Sequence, residues 1–130
     1  IQFLKGKNEN ELAFLNRLEP EIKIFRFAKS DESFEELSEQ EQQEEAMNLR
    51  NGFNYGKKVV TTAACDMLIL DEVLGVIDEK VVAPQEMQEL FENKPDDMTL
   101  ICTGRVLEDS IRPYADEIYN IAPEKIRIDE

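Results

Sequence analysis

Met67-Leu68-Ile69-Leu70-Asp71-Glu72 is the stretch that decides how this chain is read. Four apolar residues run straight into two adjacent carboxylates. The run is too short for an independent helix and apolar throughout, so it reads as a strand buried on both faces. Its carboxylates then fall at the C-terminal end, where open α/β sheets place their ligands. An apolar strand ending in Asp-Glu has the form of a Walker-B element. There an acidic side chain holds Mg²⁺ against nucleotide phosphates, directly or through water. The bland alternative is a strand that ends in two solvated acids, since short motifs recur by chance.

Downstream, residues 73–80 place Val73, Leu74, Val76 and Ile77 on a short buried helix. Pro84 suits the first turn of the next helix, over 85–92, with Met87, Leu90 and Phe91 inward. Residues 93–97 are turn chemistry. A second buried strand follows over 98–103 and runs into Thr103-Gly104-Arg105. The pattern then predicts a short helix at 108–114 interrupted by Pro113, a strand over 116–121 and a final edge at 125–128.

Upstream, residues 1–6 read as a strand that stops at Gly6, and residues 11–18 as a turn of helix ended by Pro20. A domain that starts on a buried strand is expected to have further chain before it. Residues 21–28 alternate as another strand, Ile22, Ile24 and Arg26 against Lys23, Phe25 and Phe27. Ser33-x-x-Glu36 and Ser38-x-x-Glu41 each have the form of a capping box that could start the longest helix. Ala46, Leu49, Phe53, Val60, Ala63 and Ala64 recur along it at three- and four-residue steps. Glu39, Glu41, Glu44 and Glu45 then form its solvated first turns. Gly52-Phe53-Asn54-Tyr55-Gly56-Lys57-Lys58 is no phosphate loop. It has three residues between its glycines where such a loop has four, and Lys58 where Ser or Thr would meet Mg²⁺.

Strands alternating with helical segments predict a mostly parallel sheet flanked by helices in a single α/β domain over 1–130. The formal net charge of -14 argues against nucleic acid and against an anionic membrane as partners. The two cysteines, Cys65 and Cys102, lie in or beside apolar runs and read as reduced thiols of a cytoplasmic core. These 130 residues contain no histidine, which removes a His-ligated zinc and a Ser-His-Asp triad from them. A carboxylate pair for metal and an arginine for phosphate oxygens, at two strand ends, make a coherent nucleotide site.

Taken together, the pieces resemble the ATP:corrinoid adenosyltransferases. Ile1-Gln2-Phe3-Leu4-Lys5-Gly6 is similar to the family's Val-Gln-Phe-x-Lys-Gly strand, and Asn10-Glu11 stands at its Gly-Glu. Asp66 to Glu72, Asn93-Lys94-Pro95, Thr103-Gly104-Arg105 and Ala115-Asp116 follow in the family's order and spacing. The resemblance implies a P-loop NTPase-like (RecA-like) fold whose first strand and phosphate loop would precede Gln2. It implies attack by cobalt(I) of a corrinoid on the adenosyl carbon of ATP, in cobalamin synthesis or salvage, with release of triphosphate. The reduced corrinoid is itself the nucleophile, so no catalytic base is needed.

By the same resemblance Glu72, with Asp71 beside it, would bind Mg²⁺. Gln2, Lys5, Gly6, Thr103, Gly104 and Arg105 would contact ATP, and Glu11, Phe27 and Phe34 the corrinoid. A homodimer is kept open. The family's Phe-x-Trp stretch, which packs beneath the corrin, should fall near residues 27–34, yet the chain has no tryptophan. Its Lys-His near the C-terminus is also missing. The chain is therefore read as a fragment or as a divergent member with altered corrinoid handling, inactive alone for want of the phosphate loop. The competing readings are another P-loop ATPase or GTPase half-domain, and a binding module that kept the fold without the chemistry.

Overall fold

The computed structural model describes residues 1–3, 14–15, 17–29 and 32–125. After a 3-10 turn at Phe34–Glu36 come helix α1 (Glu39–Thr62), strand β1 (Met67–Leu70) and helix α2 (Val73–Asp78). Helix α3 (Pro84–Asn93), strand β2 (Thr99–Cys102) and a 3-10 segment at Asp109–Tyr114 follow. This is an α/β arrangement around a small parallel sheet. Among the described residues no helix is long and apolar enough to cross a membrane.

β1 and β2 pair in parallel, Met67 with Thr99 through to Leu70 with Cys102. On the other edge of β1, Gln2 bridges in parallel to both Asp71 and Arg26. The bridges are made by the Phe3 N–H on the Asp71 carbonyl at 2.8 Å and the Gln2 N–H on the Phe25 carbonyl at 2.9 Å. The order across the sheet is thus 26, 2, β1, β2, parallel throughout as the alternation of strands and helices implies. Leu4 to Gly6, half of the expected helix over 11–18 and residues 126–128 of the expected final edge lie outside the described residues. The expected strand over 21–28 does not form: residues 21 and 22 are turn and bend, and only a single bridge at Arg26 remains.

α1 starts where Ser38 accepts the Glu41 N–H at 3.2 Å and donates to the Glu41 carboxylate at 2.7 Å. Ser33 makes no such side-chain cap, so the second capping candidate is the one used. The helix ends at Thr62. Ala63 takes the left-handed conformation, φ 49°, instead of continuing the helix as its apolar spacing suggested. Leu49, Gly52, Phe53, Gly56 and Val60 form the buried stripe. Gly52 and Gly56 let the helix approach the sheet closely. A Cβ on Gly52 would lie 3.0 Å from the Phe27 ring and 3.1 Å from that of Phe3. The stretch rejected as a phosphate loop is therefore the seam where α1 meets the strands.

Three expectations are corrected. Strand β1 is covered on one face only. Leu68 and Leu70 are buried in the core with Val73, Val76, Met87 and Leu90, while Met67 and Ile69 are 53% and 46% exposed. The helices that close this core pack against the Leu68 and Leu70 side, so alternation along the strand sends the other two residues outward. Residues 116–121 form no strand; Tyr119 and Ile121 are 78% and 92% exposed. An alternating run makes a strand only where a neighbouring edge accepts it. Glu45 is no part of a solvated face. It is buried, and its carboxylate accepts the Lys29 N–H at 2.8 Å and the Asn48 amide at 3.3 Å. A buried carboxylate so held ties residue 29 to α1.

Candidate functional site

The two strand ends singled out from sequence meet in space. Thr103, at the end of β2, donates its hydroxyl proton to Asp71 Oδ1 at 2.9 Å. The same hydroxyl oxygen accepts the Glu72 N–H at 2.9 Å. The register of β1 with β2 brings this about, because parallel strands with aligned ends finish side by side. Asp71 and Glu72 are both half-buried. Glu72 stands at the N-cap of α2 with φ 67° and ψ 18°, a left-handed conformation that a residue with a side chain adopts at a cost. Such strain collects at functional sites.

Gly104 packs directly on α2. A Cβ there would lie 2.4 Å from Leu74 Cβ and 3.2 Å from Leu74 Cα, so only glycine fits. The Leu74 N–H donates to the Thr103 carbonyl at 3.2 Å, which closes the same junction. Arg105 follows on the surface. Gln2 completes the group, since it is the bridge partner of Asp71. Asp71, Glu72 and Thr103 are thus joined through the Thr103 hydroxyl, and Gln2 is set opposite Asp71 by the main-chain bonds of its neighbours Ile1 and Phe3. Gly104 and Arg105 continue from them. Lys5, Gly6 and Glu11 lie outside the described residues.

The two phenylalanines are placed apart. Arg26 pairs with Gln2, so Phe25 and Phe27 point to the opposite face, toward α1. There both rings lie against Tyr55, with centroids at 4.9 and 5.8 Å. Phe34 instead lines a cleft of about 660 Å³ with Gln42, Ala46, Met47 and Val81. A second cleft, about 480 Å³, runs beside Leu74, Pro84, Val106 and Ile111. Neither is lined by Asp71 or Glu72, which stand at the C-terminal end of β1.

No group of three or more His, Cys, Asp or Glu side chains gathers in metal-binding geometry among the described residues. A metal held at this edge would take one or two carboxylates and complete its shell from phosphates and water. That is the habit of Mg²⁺, a hard cation suited to oxygen donors. Cys102 adds no reactivity beside the site. Burial pushes its thiol up to about 12, far from the thiolate form at neutral pH. Sequence reading missed the Thr103 hydroxyl as the link between the two strand ends. The available signal was the equal spacing of the two apolar runs from their polar ends, which aligns Asp71 with Thr103 once the strands are taken as neighbours.

Residues 1–130 match a family described as ATP:corrinoid adenosyltransferase BtuR/CobO/CobP. The chain is also similar to two curated proteins named corrinoid adenosyltransferase, from Escherichia coli strain K12 and Escherichia coli O6:H1. Each is 24% identical over 129 residues, which cover 99% of this chain and 63% of the relative. The chain spans less than two thirds of the length of those relatives.

Proposed function

This chain belongs to the ATP:corrinoid adenosyltransferase family, and from that premise we propose that its protein transfers the adenosyl group of ATP to cobalt(I) of a corrinoid. The setting is cobalamin biosynthesis or salvage in the cytoplasm, where free thiols such as Cys65 and Cys102 persist. The observation that carries this reading is the hydrogen-bonded junction of Asp71, Glu72 and Thr103 at the C-terminal ends of neighbouring parallel strands. Open α/β sheets bind their ligands at that edge. Residues 1–130 are read as one α/β domain of the P-loop type, with the phosphate loop preceding the strand of Gln2.

The electron pair comes from cobalt. The cobalt–carbon bond forms as the bond from the adenosyl carbon to the triphosphate oxygen breaks, and that bonding pair departs with triphosphate. No proton moves, so the chemistry asks for no histidine from these 130 residues. The leaving group carries the charge that has to be stabilised. Asp71 and Glu72 supply oxygen donors that fit Mg²⁺. The Glu72 carboxylate accepts no hydrogen bond among the described residues, and the pair sits half-buried at the strand end. Bound there, Mg²⁺ would neutralise charge on the phosphates. Arg105, exposed two residues beyond Thr103, would add a guanidinium fork for phosphate oxygens, and Gln2 and Gly104 would border the nucleotide. Phe34, which lines a cleft, would be the aromatic that meets the corrinoid. Phe27 packs behind the sheet and would support that side of the site from within.

The test uses the full-length protein with ATP, Mg²⁺ and a chemically reduced corrinoid. Adenosylcorrinoid, seen by its absorbance, and triphosphate should appear in equal amounts. Formation of ADP and phosphate without any adenosylcorrinoid would identify an ordinary nucleotidase and overturn the reading.

A further inference from the structure

We infer that Thr103 is a positioning residue, which sets the acidic pair in place and does not itself grip a phosphate. A threonine hydroxyl has one proton to donate and two lone pairs. The proton goes to Asp71 Oδ1 at 2.9 Å, and a lone pair takes the Glu72 N–H at 2.9 Å. No donor remains for a phosphate oxygen. Both partners lie more than thirty residues back in sequence, on the far side of α2 and α3. The hydroxyl therefore joins the end of β2 to the turn that leaves β1.

That turn needs holding. Glu72 is left-handed, at φ 67°, and without local restraint a residue with a side chain relaxes out of that region. Three consecutive features of β2's end hold it. The Thr103 hydroxyl takes the Glu72 N–H, the Thr103 carbonyl takes the Leu74 N–H, and Gly104 leaves Leu74 room to seat. Asp71 and Glu72 are thereby fixed relative to one another, and a hydrogen-bonded carboxylate keeps one orientation. The inference rests on the proposed nucleotide site for what the acidic pair binds. The clamp itself rests on the geometry alone.

The test compares wild type, Thr103→Val and Thr103→Ser in the full-length protein, with Thr103→Ala standing in if the valine variant does not fold. Two quantities are read: amide hydrogen exchange at Glu72, and the Mn²⁺ concentration that half-saturates the ATP complex, followed by the loss of the free Mn²⁺ spin signal. Thr103→Val should speed exchange at Glu72 and weaken Mn²⁺ by about 10- to 100-fold, the usual effect of losing a group that orients a metal ligand. Affinity for ATP without metal should stay the same, and Thr103→Ser should restore both readings. Unchanged exchange at Glu72 in Thr103→Val would overturn the inference, as would equal losses in Thr103→Ser. A fall in metal-free ATP affinity as large as that in Mn²⁺ affinity would make Thr103 a phosphate ligand after all. If wild type binds no Mn²⁺-ATP, it is the proposed function that fails, and the exchange at Glu72 still decides the clamp.

Discussion

Arg50 on α1 and Glu86 on α3 face each other across 36 residues and close a two-point ion pair. One guanidinium nitrogen lies 2.7 Å from Glu86 Oε2 and the other is bonded to Oε1. The same Oε2 also accepts the Ala83 N–H at 2.9 Å, at the start of α3. One carboxylate thus caps its own helix and fastens it to another. Bonding to Arg50 comes first among the causes that lower Glu86 below its ordinary 4.5. The stabilisation is present above that value and is lost as the pH falls through the lowered one. Arg50 is 39% exposed, so screening holds the contribution to about 1 kcal/mol. The difference in melting temperature between wild type and Arg50→Gln should be full at pH 7 and should close in acid. A gap that stays constant to pH 3 would mean that the pair contributes through packing alone.

Gly52 and Gly56 should respond in opposite senses to alanine. Alanine in place of glycine inside a helix gains about 0.5–1 kcal/mol from backbone entropy. At Gly56 the new methyl would meet Leu70 and Ile1 at 3.4 and 3.5 Å, ordinary contact distances, so Gly56→Ala should raise the melting temperature. At Gly52 it would press on two ring carbons of Phe27 and one of Phe3 at 3.0–3.1 Å. Overpacking there costs about 1–3 kcal/mol, which exceeds the gain, and Gly52→Ala should melt lower. Thermal melts of the two variants side by side decide the matter, and equal shifts would count against the seam.

Glu72→Gly should separate stability from chemistry. Glycine adopts the left-handed conformation freely, so relieving φ 67° is worth up to about 1 kcal/mol. The melting temperature should hold or rise while Mg²⁺-dependent turnover in the full-length protein falls steeply. Turnover equal to wild type at saturating Mg²⁺ would remove Glu72 from the site.

Arg105→Lys keeps the charge and loses the fork. Arg105 is exposed, so stability should not change. A point charge does not reproduce the planar, two-point hold on phosphate oxygens, and kcat/KM for ATP should fall by about tenfold or more. Wild-type kinetics would leave Arg105 as a surface residue at the end of a tight junction.

Much of this molecule is legible in the linear chain because its signals are local. Four apolar residues followed by Asp71-Glu72 announce a strand and the acidic end that closes it. Pro84 marks the first turn of α3, and the spacing of Met87, Leu90 and Phe91 its inward face. Alternation of strands with helices implies the parallel sheet that Gln2, β1 and β2 build. Each of these follows from residues within a few positions of one another, where steric preference and hydrophobic period act.

What remained hidden depends on segments far apart in sequence. Ser33 and Ser38 carry equivalent capping patterns, and only the packing of α1 chose Ser38. Glu45 has the composition of a solvated face, yet residue 29 folds over it and supplies an N–H. Residues 116–121 alternate like a strand but find no edge to join. The Thr103 hydroxyl is ordinary in sequence and takes its role from Asp71 and Glu72, which the register of two strands sets beside it. The amino-acid order by itself determined the helices, the two apolar strands and which strand ends carry charge, because those follow from local sterics and hydrophobic period. The tertiary structure decided which polar groups are buried and whom they bond, because burial and hydrogen-bond partnership belong to surfaces that come together only when the chain folds.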